Sequence, residues 1–371
     1  MLNIFIYLFM LYGGKMEDKI KVCLIGAGFV GRKHAAAYAQ QNSAKLQVIC
    51  DKDESSAKIL EKEYGFERIE TNWHKAVQAE DVDLVCICVP NNVHFEIASE
   101  AINHGKNIAC EKPLGLNGAE SEKLIYLAKE KEIIATCCYN IIRIPAIEYA
   151  QKIIKSGKLG KIVCFRGSYD NDRLADSDAP FEWRMLKKNS EGGSLCDLAI
   201  NILAISQFLV GDIVSVCGMT DIIYTKRKDS KGDFIEVEND DVAQFICSYK
   251  NGAMGYISSN RVAPGSKQDM KFEIQLTKGA VRFSLERMNE IQIYQLGQDG
   301  FSNIISDQDG WFCVGYEELK SLDAQMLLTN IRNKTYPEID FGFAAKIDYT
   351  IESVLESAKK KKWVDVKKIN N

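Results

Sequence analysis

The sequence predicts an α/β protein of two domains, and three observations carry that prediction. The chain has 371 residues, a length that favours two domains over one. A glycine-rich turn at residues 26–31 stands directly between a short apolar run and a helix-like segment. Further along, apolar and polar residues alternate as in half-buried strands, at residues 242–249, 253–259, 272–276 and 291–294.

The composition is that of an ordinary globular protein and excludes several function classes. Hydrophobic residues make up 46% and charged residues 26% of the chain, and the formal net charge is −4. No basic excess is present that would favour a nucleic-acid partner. The twelve cysteines include no C-x-x-C pair. We therefore expect free thiols, no metal site and a reducing, cytoplasmic compartment.

The first residues of the chain need separate treatment. Residues 2–12 are almost wholly apolar, but they are fewer than the roughly 20 residues that a membrane-spanning helix requires. No positive charge precedes the run, and no small-residue cleavage site follows it. We interpret residues 1–19 as a leader or disordered extension and expect no membrane association. An anchor or a packed arm is the alternative.

The glycine-rich turn predicts a dinucleotide-binding domain over residues 20–138. Gly26 permits a tight turn, Gly28 allows a phosphate group to approach the backbone, and Gly31 allows close packing of helix on strand. Phe29 and Val30 complete the turn and begin the helix, whose free N–H groups suit a pyrophosphate. The motif therefore predicts a Rossmann fold, although a fold of this kind that binds no dinucleotide stays an alternative.

A carboxylate after the second predicted strand, residues 46–50, favours NAD as the cofactor. Asp51 follows that strand twenty residues after Gly31, where an acidic residue accepts hydrogen bonds from the adenosine ribose. A carboxylate at this place repels the 2′-phosphate of NADP. Asp53 is a nearby competitor, which we interpret as the start of the next helix.

Two further segments occupy the edge of the sheet where ligands bind. The apolar run 82–89 ends at Pro90 and Asn91, and His94 opens the next helix. The strand Asn107–Cys110 leads into Glu111 and Lys112. Ligands bind beyond the carboxyl ends of parallel strands, so we expect these residues to line the cofactor site. For His94 a simple helix-start role is the alternative, and Glu111 could instead be a partner for the backbone or for a lysine.

In its motifs the chain resembles the glucose–fructose oxidoreductase/inositol dehydrogenase (Gfo/Idh/MocA) family. The resemblance runs from about residue 21 to residue 366 and rests on GAGFVG, CVPNNVHFEIASEAINHGKNIACEKPL, YNIIRIPA, KSGKLGKI, EWR, GGSLCDLAIN and VLESAKKKKWVDV. It implies an NAD(P)-dependent oxidoreductase whose second domain, here residues 139–371, is a large, mostly antiparallel sheet with helices on one face. The open face often forms an interface in such proteins, so we expect a homo-oligomer, either a dimer or a tetramer.

The resemblance assigns roles to single positions. Lys112 matches the family's EKP lysine, which contacts the reacting hydroxyl and the nicotinamide ribose. Asp197 matches the acidic residue of a GG-x-x-x-D-x-x-x-H segment, and Arg143, Trp183 and Arg184 match positions that line the cleft. Simpler roles are open for three of these residues. Asp197 could serve only the start of a helix, Arg143 could pair with a carboxylate, and Trp183 could be core or cleft wall.

One position departs from the family pattern. The family's usual histidine falls on Asn201, and no histidine follows His104 in the chain. A side-chain amide cannot accept the proton of a hydroxyl group as a general base. The usual acid–base assignment therefore does not transfer, and Asn201 is either a substrate contact or a packed amide.

Lys112 is then the strongest candidate for the proton acceptor. Partial burial and the positive nicotinamide ring would favour its neutral amine. Asp197 would orient Lys112 or share the proton. Tyr169, Asp170 and Asp172 lie where a cleft-lining loop is expected and are weaker candidates for substrate contacts.

The resemblance, with Lys112 and Asp197 retained, implies oxidation of a secondary ring hydroxyl of a sugar, glycoside or cyclitol to a ketone, with hydride passing to NAD. The resemblance makes C3 of a glucose-type ring a candidate position, from which glycoside cleavage by elimination could follow. Alternatives are an inositol 2-dehydrogenase-like or dihydrodiol dehydrogenase-like enzyme, a glycosidase that retains its NAD, and a cofactor-binding regulator without catalysis.

Overall fold

The computed structural model describes residues 18–305 and 313–369. Of the leader predicted at residues 1–19, residues 1–17 lie outside the described residues. Among those described, no helix is long and apolar enough to cross a membrane.

The first sheet has six strands that all run parallel, in the order β3-β2-β1-β4-β5-β6. The strands are β1 Ile20–Ile25, β2 Ala44–Cys50, β3 Arg68–Glu70, β4 Leu84–Ile87, β5 Asn107–Cys110 and β6 Ala135–Cys137. The helices that alternate with them are α1 Phe29–Ala39, α2 Glu54–Tyr64, α3 Trp73–Gln78, α4 His94–Asn103 and α5 Gly118–Glu130. Every residue of β4 is buried, as expected for a parallel strand covered on both faces. The order reverses between β1 and β4, and that is where such sheets bind ligands.

The second sheet is large and mixed. It has nine strands in the order β16-β15-β14-β13-β7-β12-β11-β8-β17, and of its pairs only β12 with β7 is parallel. Its strands are β7 Ile162–Asp170, β8 Ile213–Asp221, β11 Val242–Tyr249, β12 Met254–Asn260, β13 Asp269–Leu276, β14 Gly279–Ser284, β15 Glu290–Gln295, β16 Ser302–Ile305 and β17 Val364–Asp365. A separate ribbon pairs β9 Lys226–Lys228 with β10 Phe234–Glu236. This architecture confirms the predicted fold class.

Helices cover one face of the second sheet and leave the other face open. The covering helices include α6 Pro145–Lys155, α7 Ile200–Leu209 and α9 Phe341–Lys360, with α9 lying along β8. Rings of Phe165, Phe272 and Phe283 stack in the core below them. On the opposite face Ile246 and Tyr256 lie side by side in register, both exposed.

One helix of the second half packs on the first sheet. Helix α8, Glu318–Asn333, packs against α1, and its Leu327 and Leu328 are buried in one apolar cluster with Ala35 and Tyr38. The division predicted at residues 138 and 139 stays a prediction; α8 follows it in the sequence and packs on α1 of the first half. The reason is local. The outer face of α1 is apolar and no other described helix of the first sheet covers it as fully.

Candidate active site

The glycine-rich turn is built so tightly that side chains would collide at two of its positions. Gly26 has φ +102°, and a Cβ atom there would lie 2.2 Å from the main-chain oxygen of Cys88. A Cβ atom on Gly31 would lie 1.9 Å from the oxygen of Gly26. Gly28 meets nothing within 4 Å and is the N-cap of α1, which no described side chain caps. The turn thus leaves open space and unpaired N–H groups, which fit a pyrophosphate.

The carboxylate of Asp51 is fixed under this turn. Its two oxygens accept hydrogen bonds from the main-chain N–H groups of Ala27, at 2.7 Å, and Asp53, at 2.9 Å. Asp53 instead caps α2 by accepting a hydrogen bond from the N–H of Ser55 at 3.1 Å. The two acidic residues therefore have the separate places that the sequence predicts. Asp51 stands at the carboxyl end of β2, where it can reach a ribose.

The loop after β4 is held by buried side chains. Pro90 is the N-cap of a short turn, Asn91–Val93, and the amide of Asn91 donates to the hydroxyl of Ser190 at 3.2 Å. The ring of His94 is completely buried and lies between the main-chain oxygens of Val89, at 2.9 Å, and Pro113, at 2.8 Å. The predicted cofactor contact of His94 is therefore corrected: a ring without exposed surface joins the loops after β4 and β5 instead.

Glu111 pairs with a lysine, as the alternative to a place in the cofactor site predicts. Its Oε1 lies 2.5 Å from the ammonium of Lys320 on α8 and 2.7 Å from Nε2 of His34 on α1. Burial opposes ionisation of Glu111, but the charge of Lys320 and the contact with His34 hold its pKa well below the ordinary value. Glu111 is thus an anion that ties α1 and α8 to the end of β5.

Lys112 reaches the second domain and contacts Asp197. Its Nζ donates to the main-chain oxygen of Asp197 at 2.9 Å, and it lies 3.8 Å from the Oδ1 of that residue. The two side chains are 20% and 22% exposed, so a ligand can still reach both. The predicted catalytic pair is therefore together in the structure.

Asp197 lies in a widened helical turn, Leu195–Ala199, that leads into α7. Such π-type turns are rare and frequent at functional sites. Three cations face its carboxylate: Lys112, Arg173 at 3.4 Å and Arg184 at 3.9 Å. Burial raises the pKa of Asp197, but the charges of Lys112, Arg184 and Arg173 outweigh it and lower that pKa. Asp197 is consequently ionised near neutral pH and is a weak proton acceptor.

Asn201 lies one turn after Asp197 and uses its amide within the helix. Its Nδ2 donates to the main-chain oxygens of Asp197, at 3.1 Å, and Leu198, at 3.3 Å. The side chain is partly exposed. Its position is the one that the spacing predicts, and its Oδ1 is the atom that could accept a hydrogen bond from a substrate hydroxyl.

The other predicted substrate residues divide into two groups. Arg184 lies over the ring of Trp183, 4.3 Å from the centroid, on the short turn Trp183–Met185 beside Asp197. Arg143, in contrast, is 4% exposed and donates to Asp323 of α8 at 3.0 Å, which is the ion-pair alternative. The predicted place of Arg143 in the cleft is therefore corrected. Its guanidinium is buried and paired with α8, so it cannot line a cleft.

Tyr169 and Asp172 lie at the predicted loop but are already engaged. The hydroxyl of Tyr169 contacts Gln268, and Asp172 accepts from Lys267 at 2.6 Å. Tyr169 is buried, which raises its pKa. A direct contact of either residue with a substrate stays a prediction.

Arg173 is the site residue that the sequence interpretation missed. It contacts both Glu182 and Asp197, and so links the loop after β7 to the pair formed by Lys112 and Asp197. The one sequence feature that could have indicated Arg173 is its position directly after Asp172, in the loop predicted to line the cleft. Lys320 was also missed, since it lies more than 200 residues from Glu111, and no local pattern joins them.

Comparison with known proteins agrees with this geometry. A model of the GFO/IDH/MocA oxidoreductase family, described as an NAD-binding Rossmann fold, matches residues 20–139. A model of the GFO/IDH/MocA C-terminal domain matches residues 147–282. The chain belongs to this family. It is an NAD-dependent oxidoreductase, which confirms the family, cofactor and enzyme class predicted from the sequence.

Several GFO/IDH/MocA members are similar over almost the whole chain. Levoglucosan dehydrogenase of Pseudarthrobacter phenanthrenivorans is 30% identical over 95% of this chain and all of that protein. The NAD⁺-dependent scyllo-inositol 2-dehydrogenase of Bacillus subtilis is 26% identical over 87% of this chain and 89% of that protein. A solved complex of levoglucosan dehydrogenase with NADH and levoglucosan has a TM-score of 0.90, 30% identity, and coverage of 95% and 100%.

Proposed function

We propose that this enzyme oxidises a secondary ring hydroxyl of a sugar or cyclitol to a ketone, with NAD as the hydride acceptor. One observation carries the proposal: Lys112 and Asp197, from two different domains, are in contact, and both side chains keep about a fifth of their surface exposed. The similarity to levoglucosan dehydrogenase and scyllo-inositol 2-dehydrogenase supports the class of substrate.

The fit of the cofactor rests on the turn and on Asp51. The open space at Gly28 and the uncapped start of α1 would hold the pyrophosphate, and the fixed carboxylate of Asp51 would accept the ribose hydroxyls. When bound, NAD supplies the hydride acceptor of the reaction. All other functions, which are orientation, proton transfer and exclusion of water, belong to the residues of the chain.

Lys112 is proposed as the group that takes the hydroxyl proton. Its Nζ is held by the main-chain oxygen of Asp197, an acceptor that does not titrate. Asp197 is the weaker candidate, because the cations around it favour its ionised form and lower its affinity for a proton. Its role is to fix Lys112 and to accept hydrogen bonds from neighbouring substrate hydroxyls.

The remaining cleft residues suit a polyhydroxylated ring. Arg173 and Arg184 offer several N–H donors, and the amide oxygen of Asn201 can accept from a hydroxyl. We propose a glucose-type pyranose or anhydrosugar as the leading substrate, with C3 as the position oxidised. A ketone at C3 would acidify the neighbouring C–H bond, so glycoside cleavage could follow.

A cyclitol is the second candidate substrate, and the similarity to scyllo-inositol 2-dehydrogenase favours it. Asn201 stands where the family usually has a histidine, and this favours a third interpretation, in which the protein binds the cofactor and regulates without catalysis. A glycosidase that retains its NAD would differ from all of these by a cofactor that stays bound during purification.

One experiment separates these proposals. Purified full-length protein is incubated with NAD and a panel of anhydrosugars, pyranoses, glycosides and inositols, and reduced nicotinamide is followed by absorbance. Reduction with anhydrosugars or pyranoses supports the leading substrate, and reduction with inositols alone supports the cyclitol. Tight NAD binding without reduction by any of them would contradict the proposed dehydrogenase.

We also propose that the protein assembles through the open face of its second sheet. Ile246 and Met254 on that face are 48% and 62% exposed in the single chain, and Tyr256 lies beside them. An apolar surface of this kind commonly marks an interface. All twelve cysteines are free of disulfides, which supports a cytoplasmic location.

A further inference from the structure

Two thiols on β4 and the residue after it stand together beside the glycine-rich turn. Cys86 and Cys88 are two residues apart, so their side chains point to the same face of the sheet, toward α1. Their sulfur atoms are 3.7 Å apart. Cys86 is completely buried, whereas Cys88 keeps some exposed surface.

An imidazole and a carboxylate extend this pair into a chain of polar groups. A ring nitrogen of His34 lies within 4.8 Å of both sulfur atoms. Nε2 of the same ring lies 2.7 Å from Glu111, which in turn binds Lys320. A thiol, an imidazole and a carboxylate in this order form the arrangement that activates cysteine as a nucleophile.

The electrostatics of the cluster favour a thiolate at Cys88. Burial raises the pKa of that thiol, but the contact with Cys86 and the charge of His34 outweigh it and lower the pKa below its ordinary value. Burial acts without such opposition at Cys50, where it raises the pKa to about 12. The same burial also raises the pKa of Cys86, which therefore keeps its proton.

We propose that Cys88 is a site of reversible oxidation by hydroperoxides, and that Cys86 is the thiol that resolves the oxidised form. Neither residue belongs to the proposed dehydrogenase machinery, and the inference does not depend on which substrate the enzyme oxidises. The nearness of Cys88 to the glycine-rich turn links its oxidation state to the binding of the dinucleotide.

The chemistry proceeds in two balanced steps. The Cys88 thiolate attacks one oxygen of the hydroperoxide, an S–O bond forms and the O–O bond breaks. The leaving oxygen takes a proton and departs as water or an alcohol, which leaves a sulfenic acid. The Cys86 sulfur then attacks the Cys88 sulfur, so that an S–S bond forms and the S–O bond breaks. The oxygen leaves with the Cys86 proton as water, and the two thiols have lost two electrons to the peroxide.

Oxidation at Cys88 would act directly on the phosphate turn. The main-chain oxygen of Cys88 lies against Gly26 so closely that a Cβ atom there would be 2.2 Å away. The N–H of Cys88 donates to the oxygen of Ile25 at 2.8 Å. A movement of Cys88 toward Cys86 therefore displaces the backbone that supports the turn, and a bound dinucleotide covers the access to Cys88.

A metal ion is a less suitable occupant of the same cluster. His34, Cys86 and Cys88 could each offer one ligand atom. However, the ammonium of Lys320 lies 3.0 Å from Nε2 of His34, and a second cation so close would be repelled. Glu111 is neutralised by the same lysine. The cluster thus has the charge balance of a thiolate site rather than of a metal site.

The first test compares thiols within the wild-type protein. Full-length, reduced protein is treated with iodoacetamide at pH 7, and alkylation of each cysteine is followed by mass spectrometry. We expect Cys88 to react at least tenfold faster than Cys313, which is more exposed. Saturating NAD should slow Cys88 at least tenfold and leave Cys313 unchanged. Equal rates at the two cysteines, or no protection by NAD, would overturn the proposal.

The second test follows oxidation by hydrogen peroxide with a sulfenic-acid trap. In the wild-type protein, the peptide that holds Cys86 and Cys88 should lose the mass of two hydrogens. The oxidised protein should bind NAD at least threefold more weakly, and dithiothreitol should restore the original affinity. Cys86→Ser should accumulate trapped sulfenic acid at Cys88, and Cys88→Ser should show neither product. Cys110→Ser, a matched buried thiol on β5, should behave as wild type. Disulfide formation in Cys88→Ser, or a requirement for added metal, would overturn the proposal.

Discussion

The ammonium of Lys112 and the side-chain amide of Asn201 donate to one acceptor, the main-chain oxygen of Asp197, at 2.9 and 3.1 Å. Two residues from different domains are thereby held in place by one main-chain oxygen. Because this atom belongs to the backbone, it stays when the side chain of Asp197 is substituted. The position of Lys112 and the charge of the Asp197 carboxylate can therefore be separated by mutation. The first two predictions use this separation.

Lys112→Ala should lose about 10²- to 10⁴-fold in kcat, because a positioned acid–base group contributes a factor of that size. The affinity for NAD should change little, since the turn and Asp51 are untouched. Steady-state kinetics and NAD titration measure the two quantities. Lys267→Ala is the control, because Lys267 pairs with Asp172 at the surface and should keep nearly full turnover. Near-wild-type turnover in Lys112→Ala would refute the assignment and direct attention to Asp197 or Asp172.

Asp197→Asn should retain at least tenfold more activity than Lys112→Ala. The variant keeps the main-chain acceptor for Lys112 and loses only the carboxylate charge. Since the cations around Asp197 lower its pKa, its ionisation cannot set an acidic limb of the rate profile near neutral pH. The kcat of both variants across pH 5 to 9 tests this. If Asp197→Asn falls as far as Lys112→Ala, Asp197 is the proton acceptor.

Asn201→Ala and Asn201→His extend this comparison. We expect Asn201→Ala to raise KM more than it lowers kcat, if the amide only orients a substrate hydroxyl. A gain of activity in Asn201→His would show that the site keeps the family's geometry. A loss would show that Asn201 is fitted to the particular substrate of this enzyme.

Asp51→Ala should weaken NAD binding about 10- to 150-fold and reduce the preference for NAD over NADP. A charge-assisted hydrogen bond contributes about 1.5–3 kcal/mol, and every 1.4 kcal/mol is tenfold in affinity. The matched control is Asp53→Ala, which removes the cap of α2 and should lower stability slightly without changing cofactor preference. Titration of both variants with both cofactors decides the matter. Tighter binding of NADP than of NAD by the wild type would contradict it.

Asp348→Asn should remove a pH dependence of stability. Burial raises the pKa of Asp348 to about 7, above the value near 3.9 of an unfolded chain. The folded protein therefore holds this proton where the unfolded chain has lost it, so wild-type stability falls as pH rises from about 4 to 7. Urea unfolding at pH 5 and 8 should show that Asp348→Asn gains relative stability on the order of 2–4 kcal/mol at pH 8. The exposed Asp365→Asn should show no such gain, and equal pH profiles for Asp348→Asn and wild type would contradict the prediction.

Ile246→Asp should convert the proposed oligomer into a monomer. Ile246 lies in the middle of the open face, paired with Tyr256, and a buried unpaired carboxylate there would be strongly unfavourable. Light scattering measures the mass of both forms. Tyr336→Asp, at an exposed apolar residue outside that sheet, is the control and should not dissociate the protein. A monomeric wild type would refute assembly through this face.

Local patterns sufficed for much of the fold. The strand Asn107–Cys110 and the strand Val242–Tyr249 have the bounds that their sequence patterns predict. The apolar run 82–89 predicts a strand that is two residues too long at each end, since β4 covers Leu84–Ile87. Apolar residues also continue into the bends that flank the strand. Hydrophobicity alone therefore finds a buried strand but does not mark where its ladder of hydrogen bonds stops.

The candidate site was predictable only where a motif defined it. Lys112, Asp197 and Asn201 are candidates because the EKP and GG segments resemble those of the Gfo/Idh/MocA family. Arg173 and Lys320 were missed, because their carboxylate partners lie 24 and 209 residues away along the chain and no local pattern joins them. The buried ring of His94 shows the same limit, since its two acceptors are main-chain oxygens that carry no sequence signal.

The packing of α8 on α1 also sets an order of events during synthesis. The N-terminal sheet emerges from the ribosome first, but Leu327 and Leu328 complete its outer layer only when some two hundred further residues have followed. Until then the apolar surface around Tyr38 faces water, and Glu111 lacks the lysine that neutralises it. The outer layer of the nucleotide-binding half is thus completed only by residues that are synthesised late.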